Sequence, residues 1–188
     1  MDVLVRATEL AFTRHGFSGA TTNRIAKLAG VSIGTLYHYF PTKEALVQAV
    51  VHRMWEQDFE ALASRIGVFD TLPLDEALRE LVGALVASIA KRRALVSRWY
   101  TEAAHLGDLG AGLGMSNQAI ALVEHALARK RELVRPRDLG FAADLVVKTA
   151  LAVARTGSRD YPTQLESGEL AEELTQMLSR YLLKDPPG

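Results

Sequence analysis

Between Ser32 and Lys43 the chain reads Ser-Ile-Gly-Thr-Leu-Tyr-His-Tyr-Phe-Pro-Thr-Lys. Hydroxyls, an imidazole and an ammonium at this spacing suit hydrogen bonding to phosphates and base edges rather than bond-breaking chemistry. Ser32 stands in an N-cap position and opens a short helix. Gly34 and the β-branched Ile33 and Thr35 are nevertheless poor helix formers for its first turn. Such a helix is held by its neighbours, which frees its composition for contact. Gly34 lets the backbone approach a phosphate, Thr35 and the helix N-terminus offer donors, and apolar Ile33 suits a thymine methyl. Leu36 and Phe40, four apart, face a core. Tyr37, His38 and Tyr39 take the outer faces, because three consecutive helical positions cannot all point inward. Lys43 sits at the start of the next helix, where charge and helix dipole both favour a phosphate.

Other chemistries lack their residues. The chain has no cysteine, so disulfides, thiolate metal sites and cysteine nucleophiles are excluded. No two of the five histidines lie within five residues of each other, and neither a metal nor a cofactor is expected. Ser116 follows Gly114 but precedes Asn117-Gln118, which is not a nucleophile elbow. The glycines from Gly107 to Gly114 lack the Lys-Ser/Thr of a phosphate loop. No catalytic residue is assigned, and the chain is not read as an enzyme.

The elements that position the Ser32–Lys43 stretch are helices throughout, with no sustained strand alternation. Leu4, Ala7, Ala11 and Phe12 mark a first helix that Gly16 ends. Thr21 or Thr22 caps a second, carrying Ile25 and Ala26 and closing at Gly30. Two short helices joined through Gly30-Val31-Ser32 make a helix-turn-helix. Thr42 caps a long fourth helix with a stripe of Leu46, Val47, Val50, Val51, Met54, Phe59 and Leu62. Further helices are expected at about 74–90, 94–106, 116–133, 138–156 and 168–183, with Gly107 to Gly114 a loop. The fold class is all-α with about nine helices, divided into a helix-turn-helix domain over 1–45 and a second helical domain over 46–188.

Thr21-Thr22, Ile25-Ala26, Ala29-Gly30-Val31-Ser32, Gly34-Thr35-Leu36-Tyr37, Tyr39-Phe40 and Lys43-Glu44-Ala45-Leu46 closely resemble the N-terminal domain of TetR-type transcriptional regulators, over roughly Leu4 to Val50. The resemblance implies a homodimeric DNA-binding protein, usually a repressor, released from a palindromic operator by a small molecule, with 46–188 as its effector-binding and dimerisation domain. It implies DNA contacts at Thr21, Thr22, Arg24, Ser32, Ile33, Gly34, Thr35, Tyr37, His38, Tyr39 and Lys43. Of these, Thr35 and His38 are expected at base edges, Tyr39 and Lys43 at phosphates. The chain departs from the family in three places. The basic arm before the first helix is nearly missing, Ile33 replaces a frequent lysine or polar residue, and Ala20 replaces a frequent threonine.

Candidates for lining an effector pocket are Trp55, Phe59, Trp99, Tyr100, His105, Met115 and Phe141, although aromatic and Met residues at helical spacing also serve as plain core. Ala143, Val147 and Ala150 on one late helix, with Leu170, Leu174, Met177, Leu178 and Tyr181 on the last, are the candidates for a four-helix dimer interface. The late helix is apolar on more than one face and needs cover on several sides. A dimeric helical binding protein without an operator is the alternative.

Charge fits an anionic partner at one end. Through Arg53 there are six basic and three acidic residues, a net +3; the remainder carries 16 basic and 19 acidic, a net −3. The 188-residue chain is 48% hydrophobic and 23% charged, as in soluble globular proteins. Its apolar runs are too short to span a bilayer and no signal peptide is evident, so a cytoplasmic protein without membrane partners is expected.

Overall fold

The computed structural model describes residues 1–103 and 109–184, with the chain path alone at 103 and 109–115. In order the helices are α1 (Asp2–Gly19), α2 (Thr22–Ala29), α3 (Ile33–Tyr39), α4 (Lys43–Ala63), α5 (Val68–Thr71), α6 (Leu74–Lys91), α7 (Arg93–Arg98), a π-helical turn (Trp99–Ala103), α8 (Leu109–Arg129), a 3-10 turn (Arg131–Leu133), α9 (Leu139–Asp160), α10 (Pro162–Ser167) and α11 (Glu169–Leu182). The extended pairing among the described residues is one antiparallel bridge, Val134 with Leu183. The chain divides into two compact units, Met1–Glu56 with Ala94–Gly112, and Gln57–Arg93 with Leu113–Gly188.

The first unit is built on local stop and start signals. Gly16 takes φ +70°, a left-handed value that breaks α1 before its last turn. Thr21 caps α2, its hydroxyl accepting the Arg24 N–H at 3.3 Å. Gly30 closes α2 at φ +68°, ψ +29°, and Ser32 caps α3 by accepting the Thr35 N–H at 3.0 Å. Thr42 accepts the Ala45 N–H at 3.1 Å and starts α4. Leu4, Ala11 and Phe12 of α1, Ile25 and Ala26 of α2, Leu36 of α3, and Leu46, Val47 and Val50 of α4 are all buried. Each large side chain so buried contributes roughly 1.5–3 kcal/mol.

The second unit centres on α6. Leu74, Ala77, Leu78, Leu81, Val82, Leu85, Val86 and Ile89 recur at three- and four-residue spacing, giving a broad apolar stripe that packs on both α9 and α11. This packing supplies, within one protomer, much of the cover that α9 needs on its apolar faces. Ala142, Ala143, Val146, Val147, Ala150 and Ala154 are buried within the single chain.

Two expectations change. The segment from Gly107 to Gly114 is not all loop, since α8 begins at Leu109 and takes in Gly110, Gly112 and Gly114. Each glycine costs a helix only about 1 kcal/mol relative to alanine, which a helix of 21 residues can absorb. The short α5 and α10 lie in stretches read as connections, too brief for periodicity to register.

A buried charge cluster also sits in the second unit. Asp58 of α4 is 4% exposed. Arg92 donates to its Oδ1, while Arg155 Nε and Nη2 donate to its Oδ2 at 3.1 and 2.6 Å. The carboxylate joins α4, the end of α6 and α9. Removing one partner of a buried ion pair leaves charge uncompensated, so Asp58→Ala is expected to cost about 3–5 kcal/mol in a urea titration. A cost below about 1 kcal/mol would show that the cluster is not needed for stability.

Candidate DNA-binding surface

α3 has only seven residues, and its two faces differ sharply. Leu36 is fully buried and Phe40, just past its end, is 7% exposed. Ile33, Tyr37 and Tyr39 are 39%, 47% and 50% exposed, unusually open for such large apolar side chains. Gly34, Thr35 and His38 are exposed beside them. The His38 and Tyr39 rings meet edge to face with centroids 5.2 Å apart, which orders both on the outer surface. Tyr37 is tied back to α2, its hydroxyl 3.1 Å from the Thr22 hydroxyl. Ser32 also shares a 2.9 Å hydrogen bond with the Thr35 hydroxyl. Arg24 is exposed on α2, with one guanidinium nitrogen donating to the Gly19 carbonyl.

Gly34 keeps a negative φ, so its backbone does not require glycine. A Cβ built there would meet only the Ser32 Oγ, at 3.7 Å. Neither backbone nor packing within the chain calls for glycine at this position.

Lys43 is half-buried at the start of α4. Its ammonium donates to the Phe17 carbonyl and lies 4.1 Å from the centroid of the Phe17 ring. Burial against Phe17 pulls its pKa down, opposed in part by the charge of Glu44. The neighbouring Phe17 N–H donates to Glu102 Oε2 at 2.7 Å, and Arg98 Nη1 donates to Glu102 Oε1 at 2.8 Å. Sequence reasoning did not bring Phe17, Arg98 or Glu102 to this surface. Glu102 lies 85 residues from Phe17, and no local pattern links them.

The effector candidates are divided between the two units. Trp99 is buried at 8% exposure, and Trp55, Phe59 and Tyr100 are half-buried. Trp55, Trp99 and Tyr100 belong to the first unit, Phe59 and Phe141 to the second. Phe141 is 63% exposed, an open surface position in the single chain. His105 and the side chain of Met115 lie outside the described residues. The second unit has a cleft of about 880 Å³ whose walls include Gln57, Ala61, Ser64, Ala84, Ser88 and Lys91, small and polar rather than aromatic.

The dimer candidates separate by burial. Ala143, Val147, Ala150, Leu174 and Leu178 are covered within the protomer. Leu170 and Tyr181 are half-buried, and Met177 is 48% exposed. On α9 the open apolar residues are Phe141 and Leu145. Among the described residues no group of His, Cys, Asp and Glu could hold a metal ion, and no helix is long and apolar enough to cross a membrane.

Comparison with known proteins covers both parts of the chain. Residues 4–50 match the family model of bacterial regulatory proteins of the tetR family, and residues 73–182 match the tetracyclin repressor-like C-terminal domain. The HTH-type transcriptional regulator UidR of Escherichia coli is 29% identical over 129 residues, 69% of this chain and 63% of that protein. The HTH-type transcriptional regulator BetI 2 of Chromohalobacter salexigens is 34% identical over 83 residues, 44% of this chain and 38% of that protein. The chain thus spans less than two thirds of the length of these relatives. Two solved structures share the fold along nearly the whole chain. FadR of Bacillus subtilis in complex with stearoyl-CoA has a TM-score of 0.73 at 18% identity, covering 96% of this chain and 98% of that one. NalD of Pseudomonas aeruginosa, the secondary repressor of the MexAB-OprM multidrug efflux pump, has a TM-score of 0.72 at 22% identity, covering 98% of each. With the larger domain model spanning more than half of it and the DNA-binding model matching where the helix-turn-helix stands, the chain belongs to the TetR family of bacterial transcriptional regulators.

Proposed function

We propose that the chain is a repressor that binds a palindromic operator as a homodimer and leaves it when a small molecule binds. The observation that carries the DNA-reading part is the outer face of α3: exposed Ile33, Tyr37, His38 and Tyr39 beside a glycine that the chain itself does not need. A glycine without an internal reason fits close approach by an outside partner, and a phosphodiester backbone is the partner this face suits. On this reading Thr35 and His38 meet base edges, Ile33 meets a thymine methyl, and Tyr39 and Lys43 meet phosphates. Thr21, Thr22, Arg24, Ser32, Gly34 and Tyr37 supply the rest of the contact surface.

The apolar residues left open on α9 and α11, Phe141, Leu145 and Met177, support dimerisation through these helices, with Leu170 and Tyr181 at the margin. A stable interface buries roughly 1,200–2,000 Å². Two recognition helices matched to half-sites about 34–36 Å apart, or a multiple of that, give each protomer one half-site. The complex of FadR with stearoyl-CoA supports a small-molecule effector for this fold, without naming one for this chain.

Gel-shift titration with DNA flanking the protein's own gene tests the reading. Gly34→Ala is expected to keep or raise thermal stability, since alanine gains up to about 1 kcal/mol in a helix. The same change is expected to weaken DNA binding at least tenfold by placing a methyl against the backbone. Unchanged affinity in a folded Gly34→Ala protein would remove the close-approach argument. Phe141→Glu combined with Met177→Glu is expected to give a folded monomer by sedimentation and to lose operator binding. A dimer of unchanged strength would exclude this face.

A further inference from the structure

Lys43 is reached from a part of the chain that belongs to the other family domain in sequence. Residues 73–182 match the C-terminal domain model, yet Ala94–Gly112 packs in the first unit with the helix-turn-helix. Within that segment the chain winds into a π-helical turn, Trp99–Ala103. Such turns are rare and frequently mark functional positions. Glu102 lies in this turn, its two oxygens divided between Arg98 at 2.8 Å and the Phe17 N–H at 2.7 Å. Arg98 pairs with one carboxylate oxygen, and the other accepts the Phe17 amide.

The receiving end is shaped for this carboxylate. Gly16 holds φ +70°, and a Cβ there would stand 2.5 Å from Glu102 Oε2 and 3.0 Å from Arg98 Nη1. Glycine at 16 thus meets two requirements, the left-handed turn and the space for the carboxylate. The turn presents Phe17, packed edge to face on Phe12 at 6.2 Å, and Phe17 offers both its carbonyl and its ring to the Lys43 ammonium. An ammonium has three donors. The Phe17 carbonyl takes one and the Phe17 ring lies against the ammonium as well, which leaves donor capacity for a phosphate oxygen.

We propose that Glu102 is a positioning residue for DNA binding: it holds Phe17, and through Phe17 it holds the Lys43 ammonium where a phosphate can be met. The proposal rests on the reading of Lys43 as a phosphate contact. Without the carboxylate, Phe17 loses its amide anchor and Lys43 returns to the many rotamers of a free four-carbon stem. The contact is then made less often, whatever the base sequence beneath it.

The test is a double-mutant cycle on the full chain, read as affinity for sonicated calf-thymus DNA across a series of salt concentrations. Such DNA reports phosphate contacts and needs no operator. Lys43→Ala is expected to weaken binding and reduce the salt slope by about 0.9, the value of one phosphate contact. Glu102→Ala is expected to weaken binding about fivefold and to flatten the slope in the same direction. In the Lys43→Ala background it is expected to have no further effect, because its action passes through that lysine. Glu102→Gln keeps an oxygen for the Phe17 N–H and is expected to recover most of the affinity. If Glu102→Ala does not fold, Glu102→Gln carries the cycle, with a loss of about twofold that vanishes in the Lys43→Ala background. An equal loss from either Glu102 variant with and without Lys43 would make Glu102 a general support of the fold and overturn the proposal alone. A salt slope untouched by Lys43→Ala would overturn the reading of Lys43 and the proposal with it.

Discussion

The seven-residue helix α3 cannot hold itself in water, because the first hydrogen-bonded turn fixes several residues for a single bond and short helices are marginal even for strong helix formers. Its first turn contains Gly34 and two β-branched residues, which makes the deficit larger. The surrounding structure supplies what is missing. Leu36 is fully buried, Ser32 satisfies the Thr35 amide, and left-handed Gly30 turns the chain sharply enough to lay α3 against α2. Tyr37 is pinned to Thr22 across the same pair. With order imposed from behind, the front of α3 is released from any duty to fold. That release is why rings, a glycine and an imidazole can stand together on an open face.

Much of this arrangement was legible in the sequence, and the reason is locality. Thr21, Gly30, Ser32 and Thr42 act on amides or turns within a few residues, and the stripe on α6 repeats at the helical period. Contacts that span long separations left no such trace. Asp58 meets Arg92 and Arg155 across 34 and 97 residues, and Lys43 meets Phe17 across 26. Lys43 was read from its charge, its place at a helix N-terminus and the family resemblance, none of which shows the ring beneath its ammonium. The small residues of α9 suggested a partner chain, yet most are buried within the protomer, where α9 packs on α6, α10 and α11. Of the expected interface residues Met177 stays open and Leu170 and Tyr181 are half-buried, while Phe141 and Leu145 of α9 are open as well. Glycine-rich 107–114 shows propensity overruled by length, since α8 runs through three of its four glycines.

The two family domains and the two packed units do not share one boundary. The tetR-family match ends at residue 50 and the C-terminal match starts at 73, but Ala94–Gly112 packs with the N-terminal helices. Trp99 and Tyr100 therefore lie in the same π-helical turn as the carboxylate that grips Phe17. On the proposed reading, a molecule that reorders this turn acts within three residues of a group on which a phosphate contact depends. Binding of ligand and of DNA would then be coupled with equal strength in both directions, as linkage requires.

The central claim is that the outer face of α3 reads duplex DNA, one helix per half-site. Hydroxyl-radical footprinting on the DNA flanking the protein's own gene tests it most directly. The account predicts two protected patches on one face of the duplex, symmetric about a centre and separated by one helical turn of about 34–36 Å or a multiple of it. Protection spread evenly along the DNA, or a single patch without a symmetric mate, would contradict it.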